Sequence, residues 1–115
     1  FSVIGDSKRE CIVSHNVTAT IYKVNPKDSI SSYTKSGKLI DETNPFEHRF
    51  IAISHDLRKY YSFGDSVCIT NAGKYDGIYR VEDLMPKKWS NKIDILVNWY
   101  DKIDKFHNVT IYKIK

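Results

Sequence analysis

Long apolar runs, zinc-binding motifs and abundant cysteine are all missing from this sequence of 115 residues. No segment approaches the roughly 20 consecutive apolar residues of a membrane-spanning helix, so no transmembrane segment is expected. Neither Cys-x-x-Cys nor His-x-x-x-His occurs, which argues against a structural zinc site. A Gly-x-Ser-x-Gly motif is also absent. The sequence therefore suggests neither a metal site nor a nucleophilic serine.

The sequence contains two cysteines, Cys11 and Cys68. In an oxidising compartment they would form one disulfide, whereas two unpaired buried thiols fit the sequence equally well. Both alternatives stay open.

The net charge is +4, from 18 Lys and Arg against 14 Asp and Glu, which favours polyanions in general. Basic residues such as Lys102 and Lys105 stand beside acids such as Asp101 and Asp104, so the continuous basic stripe of a nucleic-acid-binding surface is missing. No nucleic-acid partner is expected. With 41% apolar and 13% aromatic residues, the composition is that of a single globular domain.

Alternation of apolar and polar residues predicts a mainly β domain. Val17–Tyr22 has the period of two that is typical of a half-buried strand. Further strands or short apolar runs are predicted over 50–53, 66–70, 77–81 and 109–114, and a further strand or a short helix is predicted over 93–97. The polar stretch 29–48 predicts a long loop, and 56–61 predicts one helical turn. Residues 1–14 lack sustained periodicity, so we divide the chain into an N-terminal arm over 1–14 and one domain over 15–115.

One segment occurs twice in the sequence. His15–Lys23 recurs as His107–Lys113 after the removal of two residues, a deletion that preserves which side chains face inward along a strand. This repetition predicts that the first and last strands lie near each other in a closed sheet. Chance repetition of good strand formers is the alternative.

Two acidic residues, Asp83 and Asp94, stand eleven positions apart, one ending and one beginning an apolar strand-like run. A lysine-rich connection containing Pro86 joins the two runs. Because strands bring side chains to a shared rim when their connection folds back, the two carboxyl groups are predicted to converge. The leading hypothesis is therefore a paired-carboxylate site.

Several segments, in this order along the chain, resemble the 3D (Asp-Asp-Asp) domain family. They are Val17–Tyr22, Thr34–Gly37, Arg49–Leu57 with Asp56, Phe63–Ile69, and the two runs that carry Asp83 and Asp94. Domains of that family are double-psi β-barrels related to the catalytic barrel of MltA-type lytic transglycosylases. The resemblance implies a mainly β, six-stranded double-psi β-barrel with short helical turns and long loops.

The resemblance also implies an activity. A lytic transglycosylase cleaves the glycosidic bond between MurNAc and GlcNAc in peptidoglycan by carboxylate acid/base chemistry, without a metal or organic cofactor. On this basis we assign Asp83 as the general acid/base, Asp94 as its electrostatic neighbour and Asp56 as a third member, with the order of Asp83 and Asp94 left open. Like-charge repulsion between two carboxylates keeps one of them protonated near neutral pH. Peptidoglycan strands would be the partner, and the cell envelope, periplasmic or secreted, the location.

Seven further residues are candidates for substrate binding: Thr18, Thr20, Tyr22, Thr34, Ser36, Trp89 and Lys92. The hydroxyl groups and the Tyr ring suit a sugar, Trp89 offers an aromatic platform, and Lys92 offers a cation for a carboxylate. The alternative is that these residues only occupy polar strand faces and turns. For the three aspartates, the alternative to catalysis is that they accept backbone N–H groups at strand ends and turns. Glu82 is expected to point away from Asp83 into solvent.

Two departures from the family pattern keep a second function open. Leu84, Met85 and Pro86 occupy the stretch where the family has a pair of glycines, and Ser54 falls where an unshifted alignment would place the first aspartate. The alternative function is a non-catalytic barrel of the cell envelope that binds glycan or another protein.

Overall fold

The computed structural model describes residues 13–24 and 33–114. This part contains six strands: β1 (Ser14–Lys23), β2 (Phe50–Ile53), β3 (Ser66–Thr70), β4 (Gly77–Leu84), β5 (Lys92–Val97) and β6 (Lys105–Lys113). Its helices are short 3₁₀ turns at Pro45–His48, His55–Lys59 and Gly73–Tyr75. Within these ranges no helix has the length and apolar character needed to cross a bilayer. Most of the predicted N-terminal arm lies outside the described residues, so that division stays a prediction.

The six strands close into a barrel in the order β1-β5-β2-β4-β3-β6. The pairs β1/β5 and β2/β4 are parallel, and the other pairs are antiparallel. The β1–β2 connection passes over β5, and the β4–β5 connection passes over β2. These interlocked crossings are the double-psi arrangement. The predicted fold class, a mainly β six-stranded double-psi barrel, is confirmed.

The repeated segment forms the first and last strands, which are neighbours as predicted. β1 and β6 pair antiparallel, and Val17 lies directly opposite Val109, its counterpart in the repeat. The register shifts between Val17 and Ala19, because Ala19 lies opposite Phe106 and one additional residue is therefore left on β6. Alternation resumes beyond this irregularity, so both copies keep their apolar residues inside the barrel.

The barrel interior is filled by aliphatic side chains in strict alternation with outward residues. On β5, Ile93, Ile95 and Val97 are fully buried. Lys92 and Asp94, which directly precede Ile93 and Ile95, are half-buried on the outer face. Burying each of these aliphatic side chains stabilises the fold by roughly 1.5–3 kcal/mol. The core therefore fixes the register of β5, and that register in turn fixes the direction of Asp94.

A second apolar layer covers part of the outer face. In the connection between β1 and β2, Ile40 packs in a small cluster with Val24, Phe50 and Leu96, and Tyr22 packs against that cluster. The predicted long loop is thus held against the outside of β1, β5 and β2. Polar side chains at the edge of this cover are partly shielded from water.

Candidate active site

Asp83 and Asp94 lie on either side of one residue, Ala52. Ala52 on β2 pairs with Asp83 on β4 and with Asp94 on β5. Directly paired residues point to the same face of a sheet, and two strand spacings place the two Cα atoms roughly 10 Å apart. The predicted convergence of the two aspartates on one face is therefore present in the structure.

A bulge in β4 turns Asp83 toward this face. The register shifts from Ile51 opposite Val81 to Ala52 opposite Asp83, which leaves Glu82 as the additional residue. Without the bulge, Asp83 would follow Val81 into the barrel interior. The expectation that Glu82 is solvated was wrong, because the side chain is only 2% exposed. The connection before β2 contacts the backbone at this residue, with the Ser36 N–H donating to the Glu82 carbonyl over 3.1 Å.

Three donors hold the Asp83 carboxyl group. The backbone N–H groups of Lys35 and Leu84 both donate to Oδ1 at 3.0 Å, and the Tyr22 hydroxyl donates to Oδ2 at 3.2 Å. These donors come from the β1–β2 connection, from β4 itself and from β1. The carboxyl group is thus fixed in orientation by groups from three parts of the chain.

Asp94 is held by one hydroxyl group and is partly removed from water. Thr20, its neighbour on β1, donates to Oδ1 at 2.7 Å. Burial raises the pKa of Asp94 above its ordinary value, and the negative charge of Asp83 raises it further, whereas the Thr20 hydrogen bond and Lys92 lower it. The net direction is upward, which favours a protonated carboxyl group at higher pH than for a free aspartate.

Tyr22 lies close to both carboxyl groups. Burial raises the pKa of its hydroxyl well above the ordinary value of 10, and the charges of Asp83 and Asp94 act in the same direction. The hydroxyl therefore keeps its proton over the whole physiological range and acts as a donor. Thr20 and Tyr22 from β1, with Asp83 and Asp94, form what we call the carboxylate site.

Thr34 and Ser36 shape the turn that reaches this site. Their hydroxyl groups lie 2.8 Å apart, and Thr34 Oγ1 also accepts the N–H of Lys38 at 3.0 Å. Gly37 takes a φ of +95°, which glycine adopts without strain. The turn directs the Lys35 N–H to Asp83. The sequence did not predict this donor, because every residue except proline carries a backbone N–H. The Thr-x-Ser-Gly pattern at 34–37 did indicate the turn that positions it.

Trp89 and Lys92 lie along the same outer face, near Asp94. Lys92 Nζ is 4.1 Å from the centre of the Trp89 ring, and Lys88 Nζ is 4.9 Å from it. Trp89 is 37% exposed. Thr18 pairs with Lys92 across β1 and β5, and its N–H donates to the Asn91 carbonyl at 3.2 Å.

Asp56 has a different environment from the other two aspartates. Both of its oxygens accept the N–H of Asn91, at 2.9 and 3.2 Å, and no hydrogen bond links it to Asp83 or Asp94 within the described residues. Burial raises the pKa of Asp56, but hydrogen bonds from Ser54 and Asn91 outweigh that effect and hold it below the ordinary value. Its contacts are those of a residue that fixes the β4–β5 connection.

The remaining predictions concern cysteine pairing and metal binding. Cys68 is half-buried on β3, but Cys11 lies outside the described residues, so the disulfide stays a prediction. Among residues 13–24 and 33–114, no three His, Cys, Asp or Glu side chains are grouped as metal ligands would be.

Comparisons with known proteins show the fold alone. No family model matches the chain, and no curated protein matches it. Among solved structures, the chain is similar to the Streptomyces papain inhibitor, with a TM-score of 0.57 and 17% sequence identity over 90% of this chain and 96% of that one. At this identity the likeness extends to the barrel architecture and carries no residue roles.

Proposed function

We propose that the carboxylate site cleaves glycosidic bonds of peptidoglycan, as a lytic transglycosylase does. One observation carries the proposal: Asp83 and Asp94 flank Ala52 on one outer face, and the pKa of Asp94 is raised by burial and by its neighbour. Glycoside cleavage needs a carboxyl group with a raised pKa that can donate a proton, and a second acid beside it. The substrate class and a cell-envelope location, periplasmic or secreted, rest on the resemblance to the 3D domain family.

Asp94 suits the proton-transfer role better than Asp83 does. The assignment made from the sequence gave that role to Asp83 and left the order open. Asp94 is the residue with the raised pKa, and it is held by a single hydroxyl group, whereas Asp83 is engaged by three donors. In this proposal Asp94 donates its proton to the glycosidic oxygen as the bond to the anomeric carbon breaks.

The same group then completes the reaction. The Asp94 carboxylate takes the proton of the muramyl 6-hydroxyl while that oxygen bonds to the anomeric carbon, so a 1,6-anhydro ring forms and no water is consumed. Asp83 supplies negative charge for the oxocarbenium-like centre that develops between the two steps. Tyr22 stays neutral and holds Asp83 in place.

The test is incubation of the purified protein with peptidoglycan, followed by mass spectrometry for anhydromuramyl products. The expected result is product formation by the wild type and a loss of about 10²- to 10⁴-fold in rate for Asp94→Asn, the range that one general acid contributes. Asp104→Asn is the matched control, since Asp104 is exposed and only accepts its neighbour's N–H. Retained binding to peptidoglycan without products would contradict the enzyme and favour the glycan-binding barrel.

A protein-binding role is the second candidate, and one surface feature favours it. Trp99, Tyr100 and Ile103 are 54%, 65% and 69% exposed in the connection between β5 and β6. Hydrogen bonds between Asn98 and Asp101 fix this connection, so the apolar side chains are presented in a defined arrangement. Exposed, pre-ordered aromatic residues are typical of protein interfaces.

The structurally similar Streptomyces protein is named a papain inhibitor. Inhibition of papain by the wild type, abolished by Trp99→Ala and unaffected by Asp94→Asn, would support this second function. Absence of inhibition at high protein concentration would count against it.

A further inference from the structure

Two lysines converge on one aromatic ring next to the carboxylate site. Lys92 Nζ and Lys88 Nζ lie 4.1 and 4.9 Å from the centre of the Trp89 ring. The face of an indole attracts cations, so the ring gathers the two ammonium groups. We call Lys88, Trp89 and Lys92 the cationic cluster.

Neither lysine of the cluster forms an ion pair in the part of the chain that the structure describes. The ion pairs found there join Arg80 to Glu82 and Lys113 to Asp65. The aromatic ring attracts both ammonium groups without neutralising either charge, so each remains available to an anion. Lys88 is exposed and Trp89 is 37% exposed, so an anion from solution can reach the cluster.

The position of Lys92 connects the cluster to Asp94. The two residues are separated by one position on β5, and alternation along a strand therefore places both side chains on the outer face, about 7 Å apart along the strand. Lys92 also acts electrostatically on Asp94. An anion bound at the cluster is thus next to the acid group.

We propose that the cationic cluster is a subsite for a carboxylate carried by the sugar next to the bond that is cleaved, so that the protein selects acidic over neutral glycans. This inference rests on the proposed function and specifies the substrate of the same site. It changes the role of Trp89, since the ring positions the two ammonium groups and is not mainly a platform for a neutral sugar. A bound carboxylate would also offset the charge of Lys92 and so favour the protonated form of Asp94.

Trp89 provides a direct measurement of binding. The sequence contains two tryptophans, so in a Trp99→Phe background the fluorescence of Trp89 alone is observed. The probes are N-acetylmuramic acid and its methyl ester, which differ in charge while sharing the sugar. We expect the acid to change Trp89 fluorescence and to bind about tenfold to a hundredfold more tightly than the ester, the effect of one charge-assisted contact.

Substitutions then locate the binding site. Lys92→Gln is expected to remove the preference for the acid, while Lys102→Gln, a matched change at an exposed position in another connection, is expected to leave it intact. Equal affinities for the acid and the ester in the wild type would overturn the subsite, as would an unchanged preference in Lys92→Gln.

The outcome is distinguishable from failure of the proposed function. Asp94→Asn leaves the cluster in place, so preferential binding of the acid should persist in that variant. Selective binding without any anhydromuramyl product would overturn the enzyme and retain the subsite. Product formation without any preference for the acid over the ester would overturn the subsite and retain the enzyme.

Discussion

Replacing Asp94 by asparagine is expected to stabilise the protein at neutral pH while removing the proposed acid. Burial and the charge of Asp83 raise the pKa of Asp94 above 3.8 in the folded protein. The folded state therefore binds this proton more tightly than the unfolded chain does, and ionising the group costs folding free energy. That cost is absent below about pH 3.8 and is complete once the pH exceeds the folded-state pKa. Asparagine does not ionise and avoids it.

The expected magnitude follows from the geometry. Two unit charges roughly 10 Å apart repel by about 1–2 kcal/mol at an effective dielectric constant near 20. Relief of desolvation adds to the gain, whereas loss of the attraction to Lys92 and weakening of the Thr20 hydrogen bond at 2.7 Å reduce it. We expect a net gain of about 1 kcal/mol, which raises Tm by roughly 4 °C for a domain of this size.

The assay is thermal unfolding of the wild type, Asp94→Asn and Asp104→Asn at pH 7 and pH 3. Asp94→Asn should melt higher than the wild type at pH 7 and show little difference at pH 3, and Asp104→Asn should show no such pattern. A lower Tm for Asp94→Asn at pH 7, or the same difference at both pH values, would refute the reasoning that burial and repulsion act on Asp94.

Two other substitutions test structural roles. Asp56→Asn should destabilise the protein by roughly 0.5–1 kcal/mol at pH 7, because it weakens the bonds to the Asn91 N–H at an exposed position where solvent screens the charge. The loss should be smaller at acid pH, since a depressed pKa contributes stability that is lost as the pH falls, and an unchanged midpoint in urea would contradict this. Gly77→Ala should cost about 1–3 kcal/mol, because residues with a side chain rarely adopt a φ of +140° and because the end of the flexible Arg49 side chain, 2.6 Å from the new Cβ atom, would have to move from its position over the Tyr79 ring. Gly37→Ala, with φ +95° and nothing within 4 Å, should cost about 1–2 kcal/mol of strain, and a smaller loss for Gly77→Ala than for Gly37→Ala in urea unfolding would contradict this reasoning.

Much of the fold could be predicted because its signals are local. Alternation over Val17–Tyr22 specified which side chains enter the core, and the structure buries Val17, Ala19 and Ile21. For 93–97 the sequence left a strand and a short helix open, and the structure has the strand β5. The repeat of His15–Lys23 in His107–Lys113 predicted adjacent first and last strands, and Val17 does lie opposite Val109. Apolar periodicity is a property of neighbouring residues, so no tertiary information was needed to read it.

The sequence predicted that Asp83 and Asp94 converge, but it also grouped Asp56 with them, and Asp56 contacts Asn91 instead. The pairing of Asp83 with Asp94 followed from their strand ends and from the family resemblance. The solvated position expected for Glu82 was wrong, because a bulge in β4 changes the alternation at that residue. The Lys35 N–H was not foreseen, since any residue type carries one.

The amino-acid sequence by itself indicated where apolar strand-like runs lie and placed two acids where such runs end and begin. Only the tertiary structure decided that burial raises the pKa of Asp94, that a loop from another part of the chain donates to Asp83, and that two lysines lie over the Trp89 ring. The reason is physical: periodicity depends on residues a few positions apart, whereas desolvation, charge and hydrogen bonding depend on groups brought together from distant parts of the chain.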